Sequence, residues 1–211
     1  MIPTAEDYEA ALIERHSRPV YEKLHAARVA IAGLGGLGSN IAVSLTRAGV
    51  GELLLVDFDR VEISNLNRQQ YDIADIGRLK TEALRDHLLK INPYLQLHIL
   101  SARVESDNAA EIFDGYGIVC EAFDKAATKA MLINVLLTQC PDTLVISGSG
   151  MAGYLSANAI VTRRVFQRLY LCGDAVTDMA DANGLMAPRV AVCANHQANM
   201  ALRLILGETD V

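Results

Sequence analysis

Residues 28–57, RVAIAGLGGLGSNIAVSLTRAGVGELLLVD, decide the fold class. RVAIAG (28–33) is a short apolar run closed by glycine and reads as a buried strand. SNIAVSLTRAG (39–49) has helical spacing and stops at Gly49, a C-terminal signal. GELLLVD (51–57) is the next strand. Between the first strand and the helix, GLGGLG (33–38) sets Gly33, Gly35 and Gly38 at fingerprint positions, with Gly36 among them. Glycine permits the tight turn and lets backbone N–H groups approach phosphate at the helix amino end. A turn that merely allows close packing is the plainer alternative, and the strand–turn–helix context favours the nucleotide. Asp57 ends the second strand where a carboxylate can hold ribose hydroxyls; a solvated strand-end acid is its plainer reading. To this point NAD and ATP are equally served.

The same alternation continues outward. Helices are expected over 78–92 and 125–140, and strands over 95–104, 117–123 and 143–150. This is an α/β pattern with a mostly parallel, Rossmann-like sheet. After about residue 150 the rhythm changes to short strands, in YLSANAIVTRRV and RLYLCGD, then a loop and a final helix. The expectation is a single domain, 1–211, with an N-terminal helical arm (1–27) and a nucleotide-binding half (28–150). A β-rich extension of short antiparallel strands and a C-terminal helix (151–211) completes it.

The formal net charge of -6 argues against a nucleic-acid-binding surface, which needs clustered cations, but leaves room for a small anionic ligand. The polar, acidic start of the chain has no apolar signal segment, and no run is long enough to span a membrane. A cytoplasmic protein is expected. The four cysteines (Cys120, Cys140, Cys172 and Cys193) contain no Cys-x-x-Cys pair, so neither zinc nor structural disulfides are expected. Cys120 and Cys193 read as core, and Cys172 as loop-adjacent. None of the five histidines falls in a triad or metal spacing; His196 on the last helix is the hardest to dismiss.

The stretch after Asp57 separates the nucleotides. VDFDRVEISNLNRQQ (56–70) carries Asn65 and Arg68, and DIGRLK (75–80) brings Lys80 to the start of a helix. A lysine there opposes the helix dipole, which makes sense if an anion sits between it and the backbone N–H groups. Arg68 and Lys80 are either ordinary surface cations or a pair converging on polyphosphate. Asp124 lies between a strand and a helix, where it can cap the helix, bind Mg²⁺, or do both.

GLGGLG, VDFDRVEISNLNRQ, DIGRLK with INP, and FDKAATK together resemble the ubiquitin-activating-enzyme-like adenylyltransferases of ThiF and MoeB type. The resemblance runs from about residue 14 to about residue 207 and is most specific in the aspartate–Asn-x-x-Arg–Lys run. It implies that Gly33, Gly35, Gly36 and Gly38 lie against ATP and that Asp57 holds the ribose. Asn65, Arg68 and Lys80 would contact the phosphates, and Asp124 would bind Mg²⁺. Arg18 matches an arginine that reaches the neighbouring subunit's site, so a homodimer is implied; Pro19 follows it where the family has Gln. The implied reaction is adenylation of the C-terminal Gly-Gly carboxylate of a ThiS-like sulfur carrier protein, in thiamin thiazole synthesis. Many relatives hold zinc with two Cys-x-x-Cys pairs, absent here, and some use a cysteine in sulfur transfer. The loop 174–186 has no cysteine, which leaves Cys172 as the candidate thiol.

Three other readings remain at this stage. One is activation of a different carboxylate, on a MoaD-like carrier, a small molecule or an RNA. Another is an NAD-dependent oxidoreductase, which leaves Arg68 and Lys80 unexplained. The third is a non-catalytic scaffold, which the retained Asp57, Arg68, Lys80 and Asp124 weigh against.

Overall fold

Central strands of a parallel sheet are covered on both faces, so they are apolar at nearly every position. In the computed structural model, which describes residues 2–178 and 184–211, this holds for β1 (Arg28–Ala32), β2 (Glu52–Val56), β4 (Ile118–Glu121) and β5 (Leu144–Gly148). β3 (Gln96–Leu100) is only partly buried, as an edge strand should be. With β6 (Val161–Phe166) and β7 (Leu169–Gly173), the sheet runs β3-β2-β1-β4-β5-β7-β6. All neighbouring pairs are parallel except β6 with β7.

Alternate residues feed two cores. Val29, Ile31, Leu53 and Leu55 face α3 (Gly36–Ala48), α4 (Lys80–Ile91) and α7 (Ala187–Leu206). Ala30, Ala32, Leu54 and Val56 face α5 (Ala109–Ile112) and α6 (Ala126–Gln139). The N-terminal arm is α1 (Ala5–His16) and α2 (Arg18–His25); α1 buries no residue, while α2 buries Tyr21 and Leu24. No helix among the described residues is long and apolar enough to cross a membrane.

Two features differ from the sequence expectation. α3 begins at Gly36, inside the glycine motif, rather than at residue 39. Low helical propensity hides that start, yet the first N–H groups of a helix need no intrahelical partner, so glycine costs less there. β7 is antiparallel to β6 but parallel to β5. The chain leaves β5, forms the outer strand first and returns between them, so the last strands continue the same sheet.

The order reverses at β1, which lies between β2 and β4. The crevice outside the carboxyl ends of β1 and β4 is the switch point where open α/β sheets bind ligands. α3 meets β1 there at the closest approach in the loop: a Cβ on Gly38 would fall 1.8 Å from the Gly33 carbonyl oxygen. Gly38→Ala is expected to cost about 1–3 kcal/mol in urea unfolding, as overpacking does. Gly117→Ala, where an added Cβ meets nothing within 4 Å, should stay within about 0.5 kcal/mol of wild type.

Candidate functional site

The glycine turn is shaped for close approach. Gly33 sits at φ 92° and donates its N–H to Val56 O at 2.8 Å. A Cβ there would lie 2.9 Å from Ala122 O, so β4 presses directly on the turn. Gly35 precedes α3 and supplies no side-chain cap. The first N–H groups of α3 therefore lack both intrahelical and capping partners. An added Cβ at Gly35 would meet only Gln69 Nε2, at 3.8 Å, so this side of the turn is open. That is a cradle that fits phosphate.

Asp57 is buried and holds the turn. Its Oδ2 accepts from Leu34 N at 2.7 Å and its Oδ1 from Asp59 N at 2.8 Å. Tyr71, not foreseen from the sequence, donates its hydroxyl to Leu34 O at 2.9 Å and reaches Lys80 O at 3.5 Å. Burial, then the charges of Asp57, Asp75 and Asp59, push the Tyr71 hydroxyl far above its usual range, so it remains a donor.

Lys80 is only 6% exposed, which removes the reading as an ordinary surface cation. Its Nζ lies 3.1 Å from Asp59 Oδ2, so the anion inferred at this uncapped helix start is, in this structure, a carboxylate of the chain itself. Arg68 crosses the glycine turn: its Cγ would lie 3.3 Å from a Cβ on Gly36. Its Nη1 donates to Ser64 O and Asn67 Oδ1, at 3.0 and 2.8 Å. α3 fixes this segment, because Asn40 Nδ2 donates to Arg68 O at 3.1 Å and Asn40 Oδ1 accepts from Gln70 Nε2 at 2.7 Å. Asn65 closes the turn by accepting Glu62 N–H at 3.0 Å.

Asp124 lies exposed in the bend between β4 and α6. The N-cap of α6 is Lys125, so the capping role expected for Asp124 is not the one it plays. No hydrogen bond or ion pair among the described residues holds its carboxylate. An unengaged hard oxygen donor beside the phosphate cradle fits Mg²⁺. The bend is set from below by Glu121, which is fully buried and accepts from Phe123 N at 2.7 Å, from Lys129 Nζ at 2.8 Å and from the Ser147 hydroxyl. The sequence showed neither Glu121 nor Lys129; the hint was an acid inside an otherwise apolar strand.

Two expected residues stand elsewhere. Arg18 opens α2 at the protein surface, 3.9 Å from Glu9 and Glu22. The carboxyl end of α2 meets the amino end of the sheet, where Gly51 N donates to Leu24 O, and the recorded ion pairs of Arg18 are with Glu9 and Glu22 rather than with a residue of the crevice. Cys172 is not in a loop: it lies on β7 and is fully buried. Burial pushes its thiol up to about 11, against the opposing effect of Thr162 Oγ1 at 3.5 Å, and burial with the raised value works against a reactive thiolate. Of the loop expected over 174–186, residues 179–183 lie outside those described.

At the root of that loop stands a second unforeseen pair. Arg189, 3% exposed, donates to Asp174 Oδ2 at 2.6 Å. Burial pushes the Asp174 carboxyl upward, but hydrogen bonds from Thr177 N, Val176 N, Arg189 and the Thr177 hydroxyl outweigh it and hold the group well below the usual carboxylate range.

A switch-point crevice with a glycine cradle is the ligand-binding arrangement of an open, Rossmann-like α/β sheet. The chain belongs to the ThiF family, whose model matches residues 8–211. The molybdopterin-synthase adenylyltransferase of Salmonella typhimurium is 35% identical over 191 residues, which cover 87% of this chain and 75% of that protein. The adenylyltransferase and sulfurtransferase UBA4 of Saccharomyces cerevisiae is 33% identical over 190 residues, covering 88% of this chain and 43% of that protein. The chain therefore spans less than half the length of the yeast relative. The fold is similar to that of E. coli tRNA N6-threonylcarbamoyladenosine dehydratase, TcdA, solved with ATP, at TM-score 0.86 and 18% identity over 98% of both chains. It is also similar to E. coli MccB with AMPCPP and MccA, at TM-score 0.72 and 24% identity over 93% of this chain and 65% of that one.

The lowered Asp174 pKa has a signed consequence. A carboxylate depressed by folding contributes stability that is complete above the unfolded-state value and is lost as pH falls through the folded-state value. Thermal midpoints of wild type and Asp174→Asn should differ most near neutral pH and converge in strong acid. A constant difference across the series would contradict the lowered value.

Proposed function

We propose that this chain uses Mg-ATP to adenylate the C-terminal Gly-Gly carboxylate of a small ubiquitin-fold sulfur carrier protein. The reading is supported by the uncapped amino end of α3, by Arg68 packed over the glycine turn and by the buried Lys80, together with Asp124, whose carboxylate has no partner among the described residues. ATP would lie along Gly33, Gly35, Gly36 and Gly38, with its ribose on Asp57. Asp57 already binds Leu34 N–H and Asp59 N–H, so it would share its oxygens with the ribose. Among the described residues the amide Nδ2 of Asn65 has only a 3.5 Å contact, to Ser64 Oγ, which leaves it available to donate to phosphate. Asp124 would hold Mg²⁺, which neutralises phosphate charge when bound.

The carrier carboxylate attacks the α-phosphorus. Its new O–P bond forms as the bond to pyrophosphate breaks, giving an acyl-adenylate and free pyrophosphate. A carboxylate needs no general base at neutral pH. Positioning and charge neutralisation then supply most of the acceleration. Lys80 and Arg68 would stabilise the charge that grows on the departing pyrophosphate, and Lys80 would exchange its Asp59 partner for phosphate. Arg18, directed outward on α2, would serve the site of a second copy in a homodimer.

The sequence pattern favours a ThiS-like carrier and a place in thiamin thiazole synthesis. The 35% identity to a molybdopterin-synthase adenylyltransferase supports a MoaD-like carrier as the second reading. ATP–pyrophosphate exchange with each carrier distinguishes them: the cognate carrier stimulates exchange, and stimulation by neither refutes the carrier reading. Lys80→Ala and Arg68→Ala should each slow exchange by about tenfold or more, about 1.4 kcal/mol of transition-state stabilisation. Asp124→Asn should weaken the Mg²⁺ dependence. Wild-type exchange in folded variants would remove these assignments.

A further inference from the structure

We propose that the buried Asp174–Arg189 ion pair is a positioning device for the acceptor, fixing the wall past which the carrier's C-terminal tail reaches the nucleotide. The inference rests on the adenylation reading above and adds residues to it.

Arg189 stands in the first turn of α7, where a cation opposes the helix dipole. It is also buried, and a buried charge is costly unless paired. A well-packed apolar side chain would serve helix and core equally well, so stability alone does not account for an arginine here. What the guanidinium does is join three segments. Nη2 binds Asp174, directly after β7; Nη1 binds Ala152 O, in the loop after β5, and Thr177 Oγ1 at 3.2 Å. Asp174 in turn gathers the N–H groups of Val176 and Thr177, each at 2.9 Å.

The two loops are pressed together at glycines. A Cβ on Gly150 would fall 2.0 Å from Asp174 Oδ1, and one on Gly173 would fall 1.8 Å from Ser149 O. Asp174 N donates to Gly150 O at 2.9 Å, and Ala175 N to Ser149 O at 3.0 Å. The wall continues toward the phosphate residues. Gly153 N donates to Gly184 O at 2.7 Å, and Asn67, which holds the Arg68 guanidinium, donates to Leu185 O at 3.0 Å.

Sheet order decides what this wall faces. The ribose acid ends β2, the phosphate cradle follows β1, and Asp124 follows β4. The β2 side of the crevice is taken by the nucleoside. An attacking carboxylate therefore comes from the other side, past the carboxyl ends of β5 and β7, where the ion pair sits. No bond of the pair touches Gly33–Gly38, Asp57, Arg68 or Lys80, so its loss is expected to act on the acceptor before ATP.

The test is steady-state ATP–pyrophosphate exchange with a ThiS-like or MoaD-like carrier ending in Gly-Gly, varying each substrate in turn. Asp174→Asn should raise the KM for carrier by about tenfold or more while the KM for ATP stays within about twofold. Arg189→Lys should recover part of what Arg189→Met loses. Thr177→Val, which deletes one hydroxyl, should shift the carrier KM alone and keeps the test open if the other variants do not fold. An unchanged carrier KM, or equal changes for both substrates in folded protein, would overturn the inference. Wild-type protein without carrier-dependent exchange would instead overturn the adenylation reading, and this inference with it.

Discussion

Leu34 is clamped at both its backbone N–H and its backbone carbonyl, and the site depends on that clamp. Its N–H is taken by Asp57 Oδ2 and its carbonyl by the Tyr71 hydroxyl. The glycine turn is thereby tied to the end of β2 on one side and to the start of α4 on the other. The N–H groups that follow Leu34, at the start of α3, have no partner among the described residues and are left for a ligand. The close packing of Gly38 on the Gly33 carbonyl completes the arrangement, since it sets α3 against β1 and aims the helix amino end at the crevice. Catalysis that relies on positioning requires this kind of rigidity before the substrate arrives.

In this acidic chain the cations near the glycine turn are held by partners. Lys80 is buried against Asp59, and Arg68 is braced by Asn67 and the Ser64 carbonyl. Each is held by a partner that a phosphate can replace or supplement. Asp124 is the converse, a carboxylate left without a partner among the described residues. Glu121, Lys129 and Ser147 hold the bend beneath it.

The backbone plan was legible in the sequence because its signals are local and redundant. Apolar runs bounded by glycine marked β1 and β2, and the glycine spacing fixed the switch-point turn. The helical start inside the motif was not legible, because glycine is read as a helix breaker and the tertiary contact that overrides this is long-range. Asp57, Arg68, Lys80 and Asp124 stood out in the sequence as candidates; the partners the fold gives the first three were not legible there. Asp59 is two residues from Asp57, yet only the folded turn sends it to Lys80. Tyr71, Glu121 and Arg189 act through contacts across the sheet, and sequence spacing carries no trace of those. Cys172 read as loop-adjacent because Gly-Asp follows it, but the strand runs through to Gly173 and buries the thiol.

Adenylyl transfer from this crevice to a carboxylate can be read by intact-mass spectrometry of a Gly-Gly-terminated carrier after incubation with this protein, ATP and Mg²⁺. The carrier should become heavier by one adenylyl group, with the addition lost when the terminal Gly-Gly is removed. A carrier of unchanged mass, from protein that binds ATP and carrier together, would rule the transfer out.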